Sequence, residues 1–244
     1  MSTAVSHRPT PLSSALALVL AAGVALLLAG SPTQRLAVIG TAVGVAVVVT
    51  AARLPAPAAM PEKVTVRKRA IPTAGIGASE VTALGAGIVV LSLLHGFLTL
   101  TGGVGWARLG PGVLGVVLLG LGLRPVRDHL ARRFVSAGLA ALVVGVVLVG
   151  IFERADPGTL LVAATGAIIA WDVAEHGISL GEQLRTDADT TSVELLHAGA
   201  SAGFGALLVL GATVLFENGA TELPLVVLLG LVVAAVVSMA ALYR

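Results

Sequence analysis

The chain has 244 residues, of which 57% are hydrophobic, 11% charged and 3% aromatic, and its formal net charge is +2. Soluble domains carry about 25% charged residues, so a chain with this composition and a mean hydropathy of +1.01 lacks the polar groups to cover a globular surface and reads as an integral membrane protein. The absence of cysteine excludes a disulfide framework, a thiolate metal site and a cysteine nucleophile, and so small a net charge speaks against a nucleic-acid partner.

A helix needs roughly 20 apolar residues to cross a hydrocarbon core about 30 Å thick. Eight segments meet that need, at about 12–30, 32–51, 81–100, 109–124, 134–152, 157–174, 196–216 and 224–243. The first is expected to be a retained span and not a cleaved leader: its apolar stretch is long, its basic flank is only Arg8, and a second span follows at once. Proline suits the first turn of a helix, where its missing N–H has no partner to lose. Ser31-Pro32, Gly110-Pro111, Asp156-Pro157 and Leu223-Pro224 are therefore expected to open the even-numbered spans, with Ser31 and Asp156 as N-caps. The expected fold is an all-α integral membrane protein of about eight transmembrane helices arranged as four hairpins. The first and third pairs are spaced by about half the chain, which would fit a duplicated four-helix unit.

Lys and Arg concentrate in cytoplasmic loops. With a cytoplasmic N-terminus, Arg8, Arg53, Lys63, Arg67, Lys68, Arg69, Arg124, Arg127, Arg132, Arg133, Arg185 and Arg244 all face inward. Only Arg35, Arg108 and Arg154 face outward. Both termini are thus expected inside a cell membrane crossed eight times.

The organisation that follows has helices 1–2 in residues 1–52, a cytoplasmic linker at 53–79, helices 3–5 in residues 81–152 and helices 6–8 in residues 157–244. The linker contains Pro55, Pro57, Pro61 and Pro72 and the basic run Val66-Arg67-Lys68-Arg69. Such a run is drawn to an anionic leaflet at about 1 kcal/mol per basic side chain, although a plain stop-transfer flank would read the same way.

Ionisable residues at membrane depth are costly and are the default functional candidates. They gather where the sixth span leaves the membrane and the seventh returns. On a continuing helix Asp172, Glu175 or His176, Ser179 and Glu182 fall on one face, which makes the segment 172–197 amphipathic, with a break near Gly177 as an alternative. Thr191-Ser192-Val193-Glu194 matches a capping box, and Glu194, His197 and Ser201 share a face beyond it. In an antiparallel pair Glu194 comes near Glu182, and His197 near Ser179 and His176. Three readings stand for this cluster. The charges end the spans, with Asp172 pairing His176 and Glu194 capping its helix; or they bind a cation or proton for transport; or Glu194-x-x-His197 contributes to a carboxylate–histidine metal site.

Ser92, His95 and Thr99 make a polar stripe inside the third span. It is expected to face protein, since an unpaired imidazole in hydrocarbon costs several kcal/mol, and it serves either as a neutral packing element or as part of a proton relay. No second ionisable residue lies at comparable depth in another span, which weighs against a pathway through the membrane. Trp106, Trp171 and Tyr243 fall near expected interfaces, as anchoring aromatics do. The sequence contains no phosphate loop, no His-Glu-x-x-His and no GxSxG, so no catalytic, cofactor or metal residues are assigned.

The segment from Ala170-Trp171-Asp172-Val173-Ala174-Glu175-His176 through Leu184, followed by Asp187 to His197, resembles an uncharacterised family of haloarchaeal multi-pass membrane proteins. The likeness rests mainly on residues 157–244, and a preference for Arg over Lys suits such a genome. The resemblance implies a cytoplasmic-membrane protein without an assigned activity, encoded beside a MoxR-type AAA+ ATPase and acting as an accessory in envelope assembly or metalloprotein maturation. The leading expectation is a non-enzymatic component that docks other membrane or cytoplasmic proteins through residues 172–197. The alternative is a small secondary transporter or channel with a midplane cavity lined by Ser92, His95 and Thr99 and a broken helix.

Overall fold

Thr10 and Pro11 begin the first helix as a cap-and-proline start should, Pro11 taking the first helical position with Thr10 extended before it. In the computed structural model, which describes residues 9–54, 77–98, 102–124, 128–153, 155–183 and 189–217, seven helices follow one another: α1 (Pro11–Leu28), α2 (Pro32–Ala51), α3 (Ala78–Leu98), α4 (Gly102–Gly122), α5 (Asp128–Glu153), α6 (Pro157–Gln183) and α7 (Thr191–Glu217). All seven are long and apolar enough to cross a membrane, and no strand occurs among the described residues. The chain is a polytopic membrane protein. The expected eighth span, 224–243, and most of the linker, including the run 67–69, lie outside the described residues.

The helix starts at Ser31 and Asp156 form as expected. Ser31 Oγ accepts the Gln34 backbone N–H at 3.2 Å, and Asp156 Oδ2 accepts that of Thr159 at 2.9 Å. The start expected at Gly110-Pro111 does not. α4 begins at Gly102 and carries Pro111 inside it. An internal proline forfeits a hydrogen bond and costs about 3 kcal/mol, so the extra turns need support from elsewhere. Trp106 supplies some of it by meeting Phe97 of α3 edge to face, with ring centroids 5.1 Å apart. Other boundaries extend outward from the apolar runs. α5 begins at Asp128 and not at 134, α7 begins at Thr191, where the Thr191–Glu194 signature puts a helix start ahead of the apolar run, and α6 runs unbroken through Gly177 to Gln183. At 1.5 Å per residue, helices of 27 residues such as α6 and α7 are about 40 Å long, more than the hydrocarbon thickness requires.

The chain divides after Gly205 into two compact units, Met1–Gly205 and Ala206–Arg244. In the first unit α6 buries Ala163, Ala167, Ala170, Ala174, Gly177 and Gly181, alternate steps of four and three residues. That stripe of small side chains lies against α1, whose Ser13, Ser14, Ala17, Ala21 and Val24 are buried. α4 packs on α5 around Leu119, Leu123, Val135 and Leu142, all fully buried. Close backbone approach makes this possible: a Cβ added at Gly138 would stand 2.9 Å from the Leu119 backbone nitrogen and 3.0 Å from the Gly115 carbonyl. Gly44 of α2 and Gly85 of α3 are reciprocal in the same way: a Cβ on either would stand 2.8 Å from the other's carbonyl oxygen. Small residues at such seams give van der Waals contact in place of the hydrophobic driving force that lipid removes. The described part of the second unit is the remainder of α7, where Leu207, Leu210 and Phe216 are exposed.

Candidate functional site

Polar side chains collect at one end of the first unit, where α1 begins, α2 and α6 end, and α7 begins. Glu194 is their centre and is only 2% exposed. Its Oε2 accepts three hydrogen bonds: from Thr10 Oγ1 at 2.8 Å, from the Ser13 backbone N–H at 2.7 Å and from Ser13 Oγ at 2.7 Å. Its Oε1 accepts from Thr190 Oγ1. The first N–H groups of a helix have no partner within it. Thr10 holds the N-cap position of α1, yet its side chain makes no cap bond, and the carboxylate from α7 takes that role. A negative charge at a helix N-terminus is also favoured by the helix dipole.

The same corner is sewn to α6 and α2. Thr10 donates its backbone N–H to the Gly177 carbonyl at 3.2 Å, and a Cβ at Gly177 would stand 2.6 Å from that of Ser13. Gly177 is therefore the point where α1 lands, and its small size serves contact, not a helix break. Ser14 Oγ donates to the Thr10 carbonyl at 2.7 Å and accepts from Arg53 Nη2 at 2.8 Å.

On another side of α6, Arg132 of α5 reaches Glu175 Oε2 at 2.5 Å through Nη1. Through Nη2 it reaches Glu182 Oε2 at 2.8 Å and Ser179 Oγ at 3.3 Å. A third group joins α6 to α7. Asp172 Oδ2 accepts from Ser201 Oγ at 2.6 Å, and His197 Nε2 stands 2.9 Å from the same oxygen at an angle outside hydrogen-bond geometry. The His176 and His197 rings are stacked, centroids 3.8 Å apart and planes 12° from parallel. Serine, histidine and aspartate meet here, but both partners converge on the aspartate and the serine does not meet the imidazole. The relay that activates a nucleophile is not built.

Several expectations are corrected by this geometry. Asp172, Glu175, His176, Ser179 and Glu182 do not act as one face. Successive residues turn a helix by about 100°, which leaves Glu175, Ser179 and Glu182 toward α5 and Asp172 with His176 toward α7. Asp172 pairs with His197 and Ser201 of α7, not with His176. Glu194 lies on α1, not beside Glu182, and the capping box does not close. Asp189 Oδ1 accepts the Thr191 N–H at 3.1 Å instead, a bond that holds the exposed Asp189 carboxyl below the usual carboxylate range. His197 does lie against His176. Among the described residues no three His, Asp or Glu side chains are arranged to hold a metal ion; the Glu194 oxygens are engaged by Thr10, Ser13 and Thr190. The stripe in α3 is divided. Ser92 touches α2, where a Cβ at Gly40 would strike its hydroxyl; His95 is exposed, and Thr99 lies outside the described residues.

The residues that sequence reasoning missed are Thr10, Ser13, Ser14 and Arg132. The signal was present for the first three: a Thr-Pro start followed by two serines is an unusually polar opening for so apolar a helix. At the opposite end of the bundle Arg108 pairs with Glu153, and Gly30 leaves room for that guanidinium.

The profile of a family of unknown function (DUF7519) matches residues 77–239. The chain belongs to that family. No curated protein and no solved structure matches it. The DUF7519 match begins at the start of α3, well before residue 157, and contains Arg132, Asp172, Glu175, His176, Glu182, Glu194 and His197. The partners of Glu194 on α1 lie outside the DUF7519 region, so the family segment presents a carboxylate and the preceding helix pair supplies the donors.

Proposed function

We propose that the chain is a non-enzymatic membrane component that serves as an assembly platform in a larger complex, seated in the cell membrane with the Arg53 and Arg132 end in the cytoplasm. One observation carries the reading: Asp172, Glu175, Glu182 and Glu194 are all engaged by neighbouring helices, which describes a stiffened framework more than a substrate chamber. Two cavities agree with it. One of about 450 Å³ between α3 and α4 is lined by Leu93, Leu94, Phe97, Trp106 and Leu109 among others, and one of about 240 Å³ is apolar apart from Thr82 and Arg124. Neither has the convergent polar groups that fix a substrate.

The partner-binding element in this reading is the cytoplasmic end of residues 172–197. A partner meets a surface of mixed charge there, because Arg132 and Glu182 keep part of their exposure while bound to each other. The partner class implied by the sequence resemblance, a MoxR-type AAA+ ATPase encoded nearby, is the first to try. The test is affinity purification from the native membrane of the wild-type chain and of a Gln183→Arg/Ser192→Arg variant, both positions being exposed. Loss of a co-purifying cytoplasmic protein in the variant supports the platform, and an unchanged partner set removes it.

A further inference from the structure

We propose that His176 and His197, with Asp172 as counter-charge, form a binding site for a single proton that fastens α6 to α7, and that a second proton opens it. The rings are parallel within 12° at 3.8 Å, a separation at which one imidazolium stacks on a neutral imidazole but two imidazolium ions repel directly. Asp172 Oδ2, 2.9 Å from His197 Nε2, is the carboxylate in direct contact with the pair. Both Nε2 atoms are sealed from solvent without a hydrogen-bond partner, and orphaned buried polar atoms call for a ligand or a role.

One further carboxylate lies beside the pair. Glu194 of α7 is a second carboxylate beside the rings; its neutral donors leave its charge in place, but its oxygens are directed to Thr10, Ser13 and Thr190 and not to an imidazole nitrogen. The corner of α1 packed on α6 contributes Thr10 and Ser13, which carry no charge. Arg53, just past the end of α2, is bound to Ser14, and Arg132 of α5 is bound to Glu175 and Glu182.

The site matters to the fold because it lies between the two buried anchors of α7, Glu194 and Gly205. Within α7 only Glu194, held by α1, and Gly205, packed against Thr165 and Ile169 of α6, are buried, and the stack and the Asp172 contacts join α7 to α6 between those two anchors. The parted state binds one proton more than the stacked state, so acid on the Arg132 side favours parting by mass action.

The chain has no cysteine, which permits paired spin labels at Gln183→Cys and Val193→Cys, both exposed, in the full chain in lipid nanodiscs. Between about pH 8 and about pH 5.5, the range in which histidine changes charge, the separation of the labels should shift from one short distance to a longer, broader population. His176→Phe keeps an aromatic ring without a titrating nitrogen and should abolish the shift. A shift that persists in His176→Phe, or none in the parent chain, overturns the proposal. Should that variant not fold, 15N spectra of histidine in the unsubstituted chain give the same answer: the two rings must titrate in separate steps, and a coincident titration overturns it.

Discussion

Glu194 accepts the backbone N–H of Ser13 at 2.7 Å across 181 residues of chain. A helix cap is ordinarily a local matter, settled by the residue that precedes the first turn. Here the cap belongs to another helix, and a single carboxylate thereby fixes where α1 and α7 sit relative to each other at the polar end of the bundle.

Removing that carboxylate tests the relationship. Glu194→Ala leaves the donors of Thr10 and Ser13 buried without an acceptor and should cost about 2 kcal/mol or more. Glu194→Gln, which keeps a carbonyl oxygen, should cost less. Thermal unfolding of the detergent-solubilised chain gives the order directly, and equal losses would show that the cap is not what holds α1.

Glycine substitutions separate contact from composition. Gly177→Ala would place its Cβ 2.6 Å from that of Ser13 and should destabilise by about 1–3 kcal/mol through overpacking. Gly199→Ala and Gly203→Ala on α7 meet nothing within 4 Å and should be neutral or stabilising by up to about 1 kcal/mol. If all three behave alike, the landing of α1 on Gly177 is wrong.

Arg132 gives a third test. Arg132→Met strands Glu175 and Glu182, one helical heptad apart, without their shared cation. The expected loss is about 1–2 kcal/mol, limited by the partial exposure of all three side chains. A triple variant that adds Glu175→Gln and Glu182→Gln should recover part of it, because the stranded carboxylates are the cause. No recovery would assign Arg132 a packing role instead.

Orientation can be read with single cysteines in this cysteine-free chain. Ser31→Cys and Asp156→Cys should react with a membrane-impermeant maleimide added outside intact cells. Asp189→Cys should react only after the membrane is opened. The reverse pattern would turn the protein over.

How much was legible in the sequence follows from what each signal measures. Apolar runs record where lipid must be met, so the seven described helices were visible, as were the caps at Ser31 and Asp156. The start of α7 at Thr191 was visible too, from its Thr-to-Glu signature, whereas that of α5 was not, because α5 extends through polar residues held by tertiary contacts such as Arg132 with Glu175. Pro111 misled for the same reason: the local rule for proline was overridden by packing around Trp106. The candidate cluster was found as a set, since ionisable residues in so apolar a chain stand out. Its partition was missed, because spacing along α6 does not reveal that α5 and α7 lie on different sides of it, nor that α1 would claim Glu194.

The cap supplied to α1 from α7 also bears on biogenesis. As the polypeptide emerges from the ribosome, the opening turn of α1 is made first and must rely on water at the membrane surface until nearly two hundred residues later, when Glu194 arrives. A bundle that has not received α7 therefore carries an open seam at that turn, which distinguishes it from a finished one.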